Sequence, residues 1–151
     1  MTLEEWDKII RLNLTGSFLV SREVGKHMIA SRYGKIINTC SIQGIRCTMG
    51  MPGTPYNSSK GGDIMMVRSL AAEWAQYGIT VNGIGPGYFP TDIDKEYLAT
   101  DYFKGQLAMH CPMGRIGRDG ELNGVLIYFA SDASSYTTGQ IMYVDGGWTL
   151  V

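Results

Sequence analysis

Short apolar runs rich in β-branched residues alternate along this chain with longer stretches of helical periodicity. A glycine stands beside each run, and the runs suit strands buried on both faces. The stretches between them carry apolar residues three or four positions apart, as amphipathic helices do. This alternation predicts an α/β fold in which right-handed crossovers join parallel strands. The predicted strands are 35–39, 79–84 and 140–145, and the main predicted helices are 2–30, 56–77 and 122–129.

The predicted sheet is incomplete. Three strands are too few to support helices on both faces, and at least one long apolar edge would remain unpaired. The chain length of 151 residues corresponds to one domain. We therefore expect residues 1–151 to form a single domain that is part of a larger sheet, which further strands or a partner chain would complete.

Composition and charge argue against several classes of function. The 13 basic and 14 acidic residues are mixed along the chain, so there is no basic surface for nucleic acid. No apolar run approaches the roughly 20 residues of a membrane span, and the acidic, amphipathic start does not suit a signal peptide. The three cysteines match neither a disulfide framework nor a zinc site. We expect a cytoplasmic protein without a metal, nucleic-acid or membrane partner.

Tyr56 and Lys60 carry the candidate chemistry. They lie four residues apart at the start of a predicted helix, so their side chains share one face. An ammonium beside a phenol favours the phenolate. A tyrosine placed in this way can take a proton from an alcohol, or give one to a carbonyl, near neutral pH. Taken alone, the same spacing also fits a surface pair without a role.

Ser41 precedes Tyr56 by fifteen residues and follows the predicted strand 35–39. Active groups of open α/β sheets collect at the carboxyl ends of the strands. The Ser41 hydroxyl is therefore expected to hold a substrate oxygen beside the Tyr56 phenol. Its neighbour Cys40 has no base placed for it, so we interpret Cys40 as a packing residue.

Five segments of the chain, in this order, resemble motifs of the short-chain dehydrogenase/reductase family, and the resemblance covers essentially the whole chain. The resemblance implies a Rossmann-like, doubly wound parallel sheet. Segments 83–88 and 129–134 look most like those of gluconate 5-dehydrogenases and related sugar or polyol oxidoreductases. The five segments are the Asn-containing helix motif 12–16, the catalytic-serine strand 34–41, the Tyr-x-x-x-Lys motif 56–62, the Pro-Gly cofactor loop 81–87 followed by Thr91, and the closing strand 143–147.

The resemblance implies a catalytic role for four residues. Tyr56 would be the general acid/base, and Lys60 would promote its ionisation and bind the nicotinamide ribose. Ser41 would orient the substrate oxygen and polarise its carbonyl. Asn13 would hold a water that links Lys60 to solvent. Without the resemblance, Asn13 fits equally a polar helix residue bonded to a neighbouring turn.

The resemblance also implies NAD or NADP as the cofactor, with hydride transfer as its chemistry. Tyr56 and Lys60 would contact its ribose. The loop after the second strand would line the nicotinamide through Pro86, Gly87, Phe89 and Thr91. Thr91 precedes Asp92 and is also a plausible helix cap.

The chain departs from the family's pattern in two places. No Gly-x-x-x-Gly-x-Gly turn follows a strand, so we expect this chain to lack the family's front strands, its pyrophosphate contacts and the residue that selects NAD or NADP. The interval from Ser41 to Tyr56 is also longer than in many members, with the extra length in 45–55. Both this loop and a predicted lid, about 92–112, bear on the identity of the substrate.

Three hypotheses of function remain at this point. The first is an NAD(P)-dependent oxidoreductase that interconverts a secondary alcohol and a ketone on a sugar acid or polyol. The second is a catalytically silent fragment that serves at most for oligomerisation. The third is a 3-oxoacyl thioester reductase. The resemblance implies a homodimer or homotetramer that assembles through residues 2–30, 56–77 and 120–147.

Overall fold

A computed structural model of the protein describes residues 1–48, 52–92 and 94–150. Parts of the loop 45–55 and of the lid 92–112 therefore lie outside the described residues. The described residues form a three-stranded parallel sheet in the order β1-β2-β3. The strands are β1 (Gly34–Thr39), β2 (Ile79–Pro86) and β3 (Ile141–Val144). The α/β class and the parallel sheet are confirmed.

Helices precede and follow β1 as predicted, but the first is not uniform. It begins with α1 (Leu3–Ile10), which Thr2 and Glu5 cap reciprocally. A five-residue π-helical segment, Arg11–Thr15, follows and leads into α2 (Gly16–Ser31). The helix predicted over 2–30 is thus continuous, while its π-helical segment was not predicted, because apolar spacing does not report a change in hydrogen-bond pitch.

The second crossover is α3 (Thr54–Trp74), which joins β1 to β2. Pro55 stands in its first turn, where a missing N–H costs no helical bond. A 3-10 turn, Ala75–Tyr77, ends the crossover, and Gly78 leaves it at a φ of 74°. This left-handed backbone favours glycine, so the predicted stop at Gly78 has a local cause.

The remaining helices lie between β2 and β3 and after β3. Two short helices occupy the predicted lid, α4 (Lys95–Ala99) and α5 (Asp101–His110). The helix α6 (Asn123–Ala130) leads towards β3. Short 3-10 turns occur at Ile42–Gly44, Asp132–Ser134 and Trp148–Leu150. No helix in the described part of the chain combines the length and apolarity that a membrane crossing requires.

Apolar side chains cover both faces of the sheet. On one face Ile36 of β1 packs in a buried cluster with Val67 of α3. The adjacent residue Ile37 packs with Phe129 of α6 on the opposite face, because successive strand residues point to opposite sides. Helices therefore cover the sheet from two sides, as in a doubly wound fold.

Part of the predicted core is exposed in this chain. Phe18 on α2 is 43% exposed and Leu126 on α6 is 46% exposed, although both lie in apolar periodic patterns. Within the described residues β1 is an edge strand of the sheet. On α6, Val125 and Phe129 point into the core, while Leu126 does not. These exposed surfaces agree with the expectation of an incomplete sheet.

Truncating Phe129 tests which face of α6 supports the sheet. We expect Phe129→Ala to lower the free energy of unfolding by about 3–5 kcal/mol, because a fully buried ring would leave a cavity. The matched variant Leu126→Ala on the same helix should change it by about 0.5 kcal/mol or less. Urea denaturation followed by circular dichroism measures both. Equal losses in the two variants would contradict this assignment of the faces.

Candidate active site

The carboxyl ends of β1 and β2 bring the candidate residues to one edge of the sheet. Thr39 is paired with Ile84, and the Cys40 N–H donates to the Ile84 carbonyl at 2.7 Å. Ser41 therefore leaves β1 close to where Pro86 ends β2. This is the edge where open α/β sheets assemble their sites.

Ser41 is buried at the turn that follows β1. It caps the 3-10 turn Ile42–Gly44, and its Oγ accepts the Gln43 N–H at 3.1 Å. A hydroxyl that accepts in this way keeps its own proton for donation. Ser41 therefore retains the donor that a substrate oxygen would need.

Tyr56 and Lys60 lie on consecutive turns at the start of α3. The Lys60 Nζ lies 6.0 Å from the centroid of the Tyr56 ring, so the ammonium and the phenol ring share one side of the helix. Tyr56 is 39% exposed, which leaves its ring open to a ligand. The arrangement matches the spacing argument, while the roles of the two residues stay predictions.

Two acceptors anchor the Lys60 ammonium. It donates to the Thr39 carbonyl at 2.7 Å and to Asp63 Oδ2 at 3.1 Å. The first bond joins α3 to the end of β1, two residues before Ser41. An ammonium has three N–H donors, so one remains beyond these two bonds. That third donor is available to a ligand hydroxyl or to water.

Asn13 lies within the π-helical segment and connects it to α3. Its Nδ2 donates to Ser59 Oγ at 3.0 Å, and Ser59 in turn donates to the Tyr56 carbonyl at 2.7 Å. The Asn13 carbonyl accepts the Ser17 hydroxyl at 2.7 Å. The Asn13 side chain thus bonds a residue of another helix, in line with its interpretation as a polar helix residue that supports a neighbouring turn. The proposed water relay to Lys60 stays a prediction.

The loop after β2 holds the four predicted nicotinamide contacts. Gly87 donates its N–H to the Val144 carbonyl at 3.0 Å, and a Cβ there would lie 2.7 Å from the Asp145 Cα. Only glycine fits this approach of the loop to β3. Phe89 lies close to Gly117, and both residues border a cavity of about 270 Å³. Pro86 is the last residue of β2.

Thr91 is engaged at the start of the lid. Its hydroxyl donates to Asp94 Oδ2 at 3.0 Å and accepts the Asp94 N–H at 3.2 Å. These bonds form a turn before α4, whose N-cap is Asp94, so Thr91 is not the helix cap that was the alternative to a nicotinamide contact. A cofactor contact by the same hydroxyl would require it to exchange one of these bonds.

An aromatic cluster holds the lid against the turn that carries Ser41. Phe103 of α5 packs on Tyr88 with ring centroids 4.9 Å apart, and Tyr88 packs on Trp148 at 4.8 Å. Ile42, next to Ser41, is buried in the same cluster. Burial, with the neighbouring tyrosines, raises the pKa of Tyr97 in this cluster to about 12. The lid is therefore packed through neutral aromatic side chains.

A second cavity of about 410 Å³ lies between the loop after Ser41 and the lid. Arg46 of that loop bonds His110 Nδ1 of α5 at 3.1 Å and also donates to the Trp148 carbonyl. His110 thus lies where the lid meets this loop. The polar residues that line the cavity are compatible with a hydroxylated ligand; they are Arg46, Thr48, Tyr102, Gln106 and His110.

Asp63 is a site residue that the sequence analysis missed. It is fully buried on α3 and forms an ion pair with Lys60. The sequence contained a signal, because Asp63 lies four residues after Ser59 and four before Val67, both of which are buried on α3. An acidic residue at a core-facing helical position is rare unless it has a charged partner.

Cys40 has the environment of a packing residue. It is buried in the core cluster beside β1. Burial, reinforced by the charge of Asp63 and partly offset by Lys60, raises the pKa of the Cys40 thiol to about 11. The thiolate that a nucleophile would need is therefore disfavoured at neutral pH.

Comparison with known proteins identifies the family. A family model described as Enoyl-(Acyl carrier protein) reductase matches residues 1–149. The chain belongs to the short-chain dehydrogenase/reductase family. The motif resemblance is thereby confirmed, and so is the expectation that the chain derives from an enzyme family.

The relatives include oxidoreductases of sugar acids. Gluconate 5-dehydrogenase of Gluconobacter oxydans is 36% identical over 148 residues, covering 97% of this chain and 57% of the relative. The 5-keto-D-gluconate 5-reductase of Escherichia coli is 40% identical over 146 residues, 95% of this chain and 56% of the relative. A 3-oxoacyl-[acyl-carrier-protein] reductase of a Synechocystis species is 38% identical over 152 residues, covering 99% of this chain and 58% of the relative.

A solved structure shares the architecture. The gluconate 5-dehydrogenase of Burkholderia cenocepacia, crystallised with NADP and tartrate, superposes with a TM-score of 0.94 at 39% identity. The match covers 100% of this chain and 58% of that one. The chain thus spans somewhat more than half the length of the relatives it matches, and the sheet described above corresponds to part of their Rossmann-like fold.

Thiol labelling tests the environment of Cys40. At pH 7 we expect Ellman's reagent to modify Cys47, which is exposed, about two orders of magnitude faster than the buried Cys40 and Cys111. Cys47→Ser should remove the fast phase, and Cys40→Ser should leave it unchanged. Loss of the fast labelling phase in Cys40→Ser would instead identify a reactive thiol at position 40.

Proposed function

We propose that this chain is the catalytic part of an NAD(P)-dependent oxidoreductase that interconverts a secondary alcohol and a ketone. The observation that supports this most directly is the anchoring of Lys60. Its bond to the Thr39 carbonyl holds the first turns of α3, which carry Tyr56, at the strand end that Ser41 follows. A proton donor, a cation and a hydroxyl donor are thus assembled at one edge of the sheet.

In the proposed reaction Tyr56 exchanges a proton with the substrate oxygen. When a ketone is reduced, the phenol O–H gives its proton to the carbonyl oxygen, and Ser41 donates a hydrogen bond to the same atom. In the oxidation of an alcohol the proton returns to the phenolate. The Lys60 ammonium stabilises the phenolate electrostatically and so assists both directions.

The residues present fit the nicotinamide end of NAD(P). Lys60 has one N–H beyond its bonds to Thr39 and Asp63, which suits a ribose hydroxyl. NAD(P), when bound, supplies or accepts the hydride. Tyr56 and Lys60 would hold the ribose, and Pro86, Gly87, Phe89 and Thr91 would line the nicotinamide. The sequence contains no glycine-rich turn that would hold the pyrophosphate.

Asn13 belongs to this proposal as the residue that supports proton exchange with solvent. The π-helical segment around it widens the helix, and such segments often occur at functional sites. We propose that the widened turn holds a water connecting Lys60 to solvent. The bond from Asn13 to Ser59 fixes the segment against α3 during that exchange.

A sugar acid or polyol is the proposed substrate class. The similarity to gluconate 5-dehydrogenases supports it, as does the cavity lined by polar groups of the loop and the lid. The similarity to a 3-oxoacyl-[acyl-carrier-protein] reductase supports a thioester substrate as the alternative. Steady-state assays with 5-ketogluconate and with a 3-oxoacyl thioester, on protein that includes the front of the fold, separate the two.

We also propose a cytoplasmic location and assembly as a homodimer or homotetramer. The exposed apolar residues of α2, among them Phe18, Leu19 and Val20, support a covered surface on this helix. Sedimentation of the chain measures its assembly directly.

A silent fragment is the second candidate function. It is supported by the coverage of the relatives, since the chain spans 57% of the length of the Gluconobacter oxydans gluconate 5-dehydrogenase. Isothermal titration with NADH and NADPH distinguishes the candidates. Micromolar binding by the 151-residue chain would exclude the silent fragment. Absence of binding, together with binding of a hydrophobic dye to exposed surface, would favour it.

Replacing the phenol tests the acid/base role. In protein that includes the front strands and the glycine-rich turn, we expect Tyr56→Phe to lower kcat by at least about 100-fold, the usual range for loss of a general acid or base. Affinity for NAD(P)H should change little, because Lys60 and the loop after β2 keep their proposed contacts with the cofactor. Steady-state kinetics and fluorescence titration measure the two effects.

Tyr77→Phe is the matched control for that experiment. Tyr77 lies in the 3-10 turn at the far end of the same crossover and should leave kcat unchanged. Full turnover by Tyr56→Phe would remove Tyr56 from the proposed role.

A further inference from the structure

A carboxylate is buried directly behind the proposed catalytic lysine. Asp63 is buried, and its side chain lies among the buried residues of α3 between Ser59 and Val67. One oxygen, Oδ2, accepts the Lys60 ammonium at 3.1 Å. The other, Oδ1, is buried without a hydrogen-bond partner in the described part of the chain.

Such a residue is costly to maintain for packing alone. A buried carboxylate loses its hydration, and a single ion pair with one unsatisfied oxygen compensates only in part. An apolar residue at the same helical position would complete the buried face of α3 without that cost. The carboxylate therefore calls for an explanation in terms of its partner, Lys60.

Asp63 affects two properties of Lys60. Together with the Thr39 carbonyl it fixes two of the three N–H donors of the ammonium, and so directs the third. Its negative charge also offsets the positive charge that acts on the Tyr56 ring, where the ammonium lies 6.0 Å from the centroid. Burial screens this pair from solvent, since only 13% of the Lys60 side chain and 1% of the Asp63 side chain are exposed.

We propose that Asp63 is a positioning residue that orients the Lys60 ammonium and limits its charge, and thereby sets how strongly Lys60 promotes ionisation of Tyr56. This inference rests on the proposed function, in which Tyr56 exchanges the proton. Asp63 touches neither substrate nor cofactor in this proposal and acts through Lys60.

Helices α1 and α2 also pack against α3, and all of their charged side chains are exposed. Cys40, after β1, is close enough for Asp63 to affect its ionisation. The strand β2 and the turn Ile42–Gly44 carry no titratable side chain, and the π-helical segment contributes only the exposed Arg11. Burial raises the pKa of the Asp63 carboxyl above its usual value, and the charge and hydrogen bond of Lys60 offset this only in part. The proposal therefore requires that Lys60 keep this carboxyl ionised at the pH of the reaction.

Titration of the Tyr56 phenol in Asp63→Asn tests the proposal. The phenolate absorbance of Tyr56 is isolated by subtracting, in each background, the titration of the corresponding Tyr56→Phe variant. Asparagine keeps the size of the side chain and removes its charge. We expect the midpoint of the Tyr56 absorbance change to move to lower pH by about half to one unit, because the Lys60 charge is no longer offset.

Two controls make the result specific. Glu73→Gln removes an exposed carboxylate on the same helix, about 15 Å further along its axis, and should leave the midpoint unchanged. In a Lys60→Met background, Asp63→Asn should produce no shift, because a buried carboxyl without its cation takes up a proton and leaves no charge to remove. Asp63→Ser serves as a second uncharged variant should Asp63→Asn not fold.

An unchanged midpoint, a shift to higher pH, or an equal shift in the Lys60→Met background would overturn the proposal. The titration uses neither cofactor nor substrate, so its result is independent of the proposed function. Retained turnover in Tyr56→Phe would refute the acid/base role while leaving the titration valid. An absent titration shift with lost turnover in Tyr56→Phe would refute only the role of Asp63.

Discussion

The bond from the Lys60 ammonium to the Thr39 carbonyl links the two halves of the site. It connects the beginning of α3 to the end of β1 across 21 positions of sequence. Tyr56 and Lys60 lie on that helix, and Ser41 follows that strand, so the distance between the phenol and the serine depends on this junction. The sheet supplies the rest of the geometry, because the parallel register places Pro86 beside the same strand end. Positioning by backbone contacts of this kind is what allows few side chains to perform the chemistry.

A second set of contacts supports α3 from the irregular helix before β1. A regular α-helix would present Asn13 with all its backbone bonds satisfied within the helix. The π-helical segment instead changes the hydrogen-bond pattern at Arg11–Thr15, and Asn13 reaches Ser59 on α3. Ser59 then bonds the carbonyl of Tyr56. A chain of side-chain bonds thus runs from the first helix to the residue that carries the phenol, and it makes the local irregularity part of the support for Tyr56.

The sequence was sufficient for the sheet and for the pairing of Tyr56 with Lys60, because both follow from short-range periodicity. It was insufficient where the outcome depends on which helix face meets the sheet: Leu126 shares the apolar pattern of α6 but is exposed, while Phe129 is buried. Thr91 fits both a cofactor contact and a cap in sequence, and its bonds to Asp94 appear only in three dimensions. Asp63 was overlooked because apolar residues alone were placed on the buried face of α3, although the same periodicity includes it.

Because of the ion pair between Lys60 and Asp63, the Tyr-x-x-x-Lys motif alone does not determine the electrostatics of the site. The spacing of Tyr56 and Lys60 predicts a charge beside a phenol, but the strength of that charge depends on what else surrounds the ammonium. In this chain a carboxylate occupies the position one turn further on, at 3.1 Å from the same nitrogen. Two chains with identical tyrosine and lysine positions can therefore differ in the pH at which they exchange a proton. If Asp63 acts as proposed, the buried helix face that follows the motif affects the phenol in addition to the motif itself.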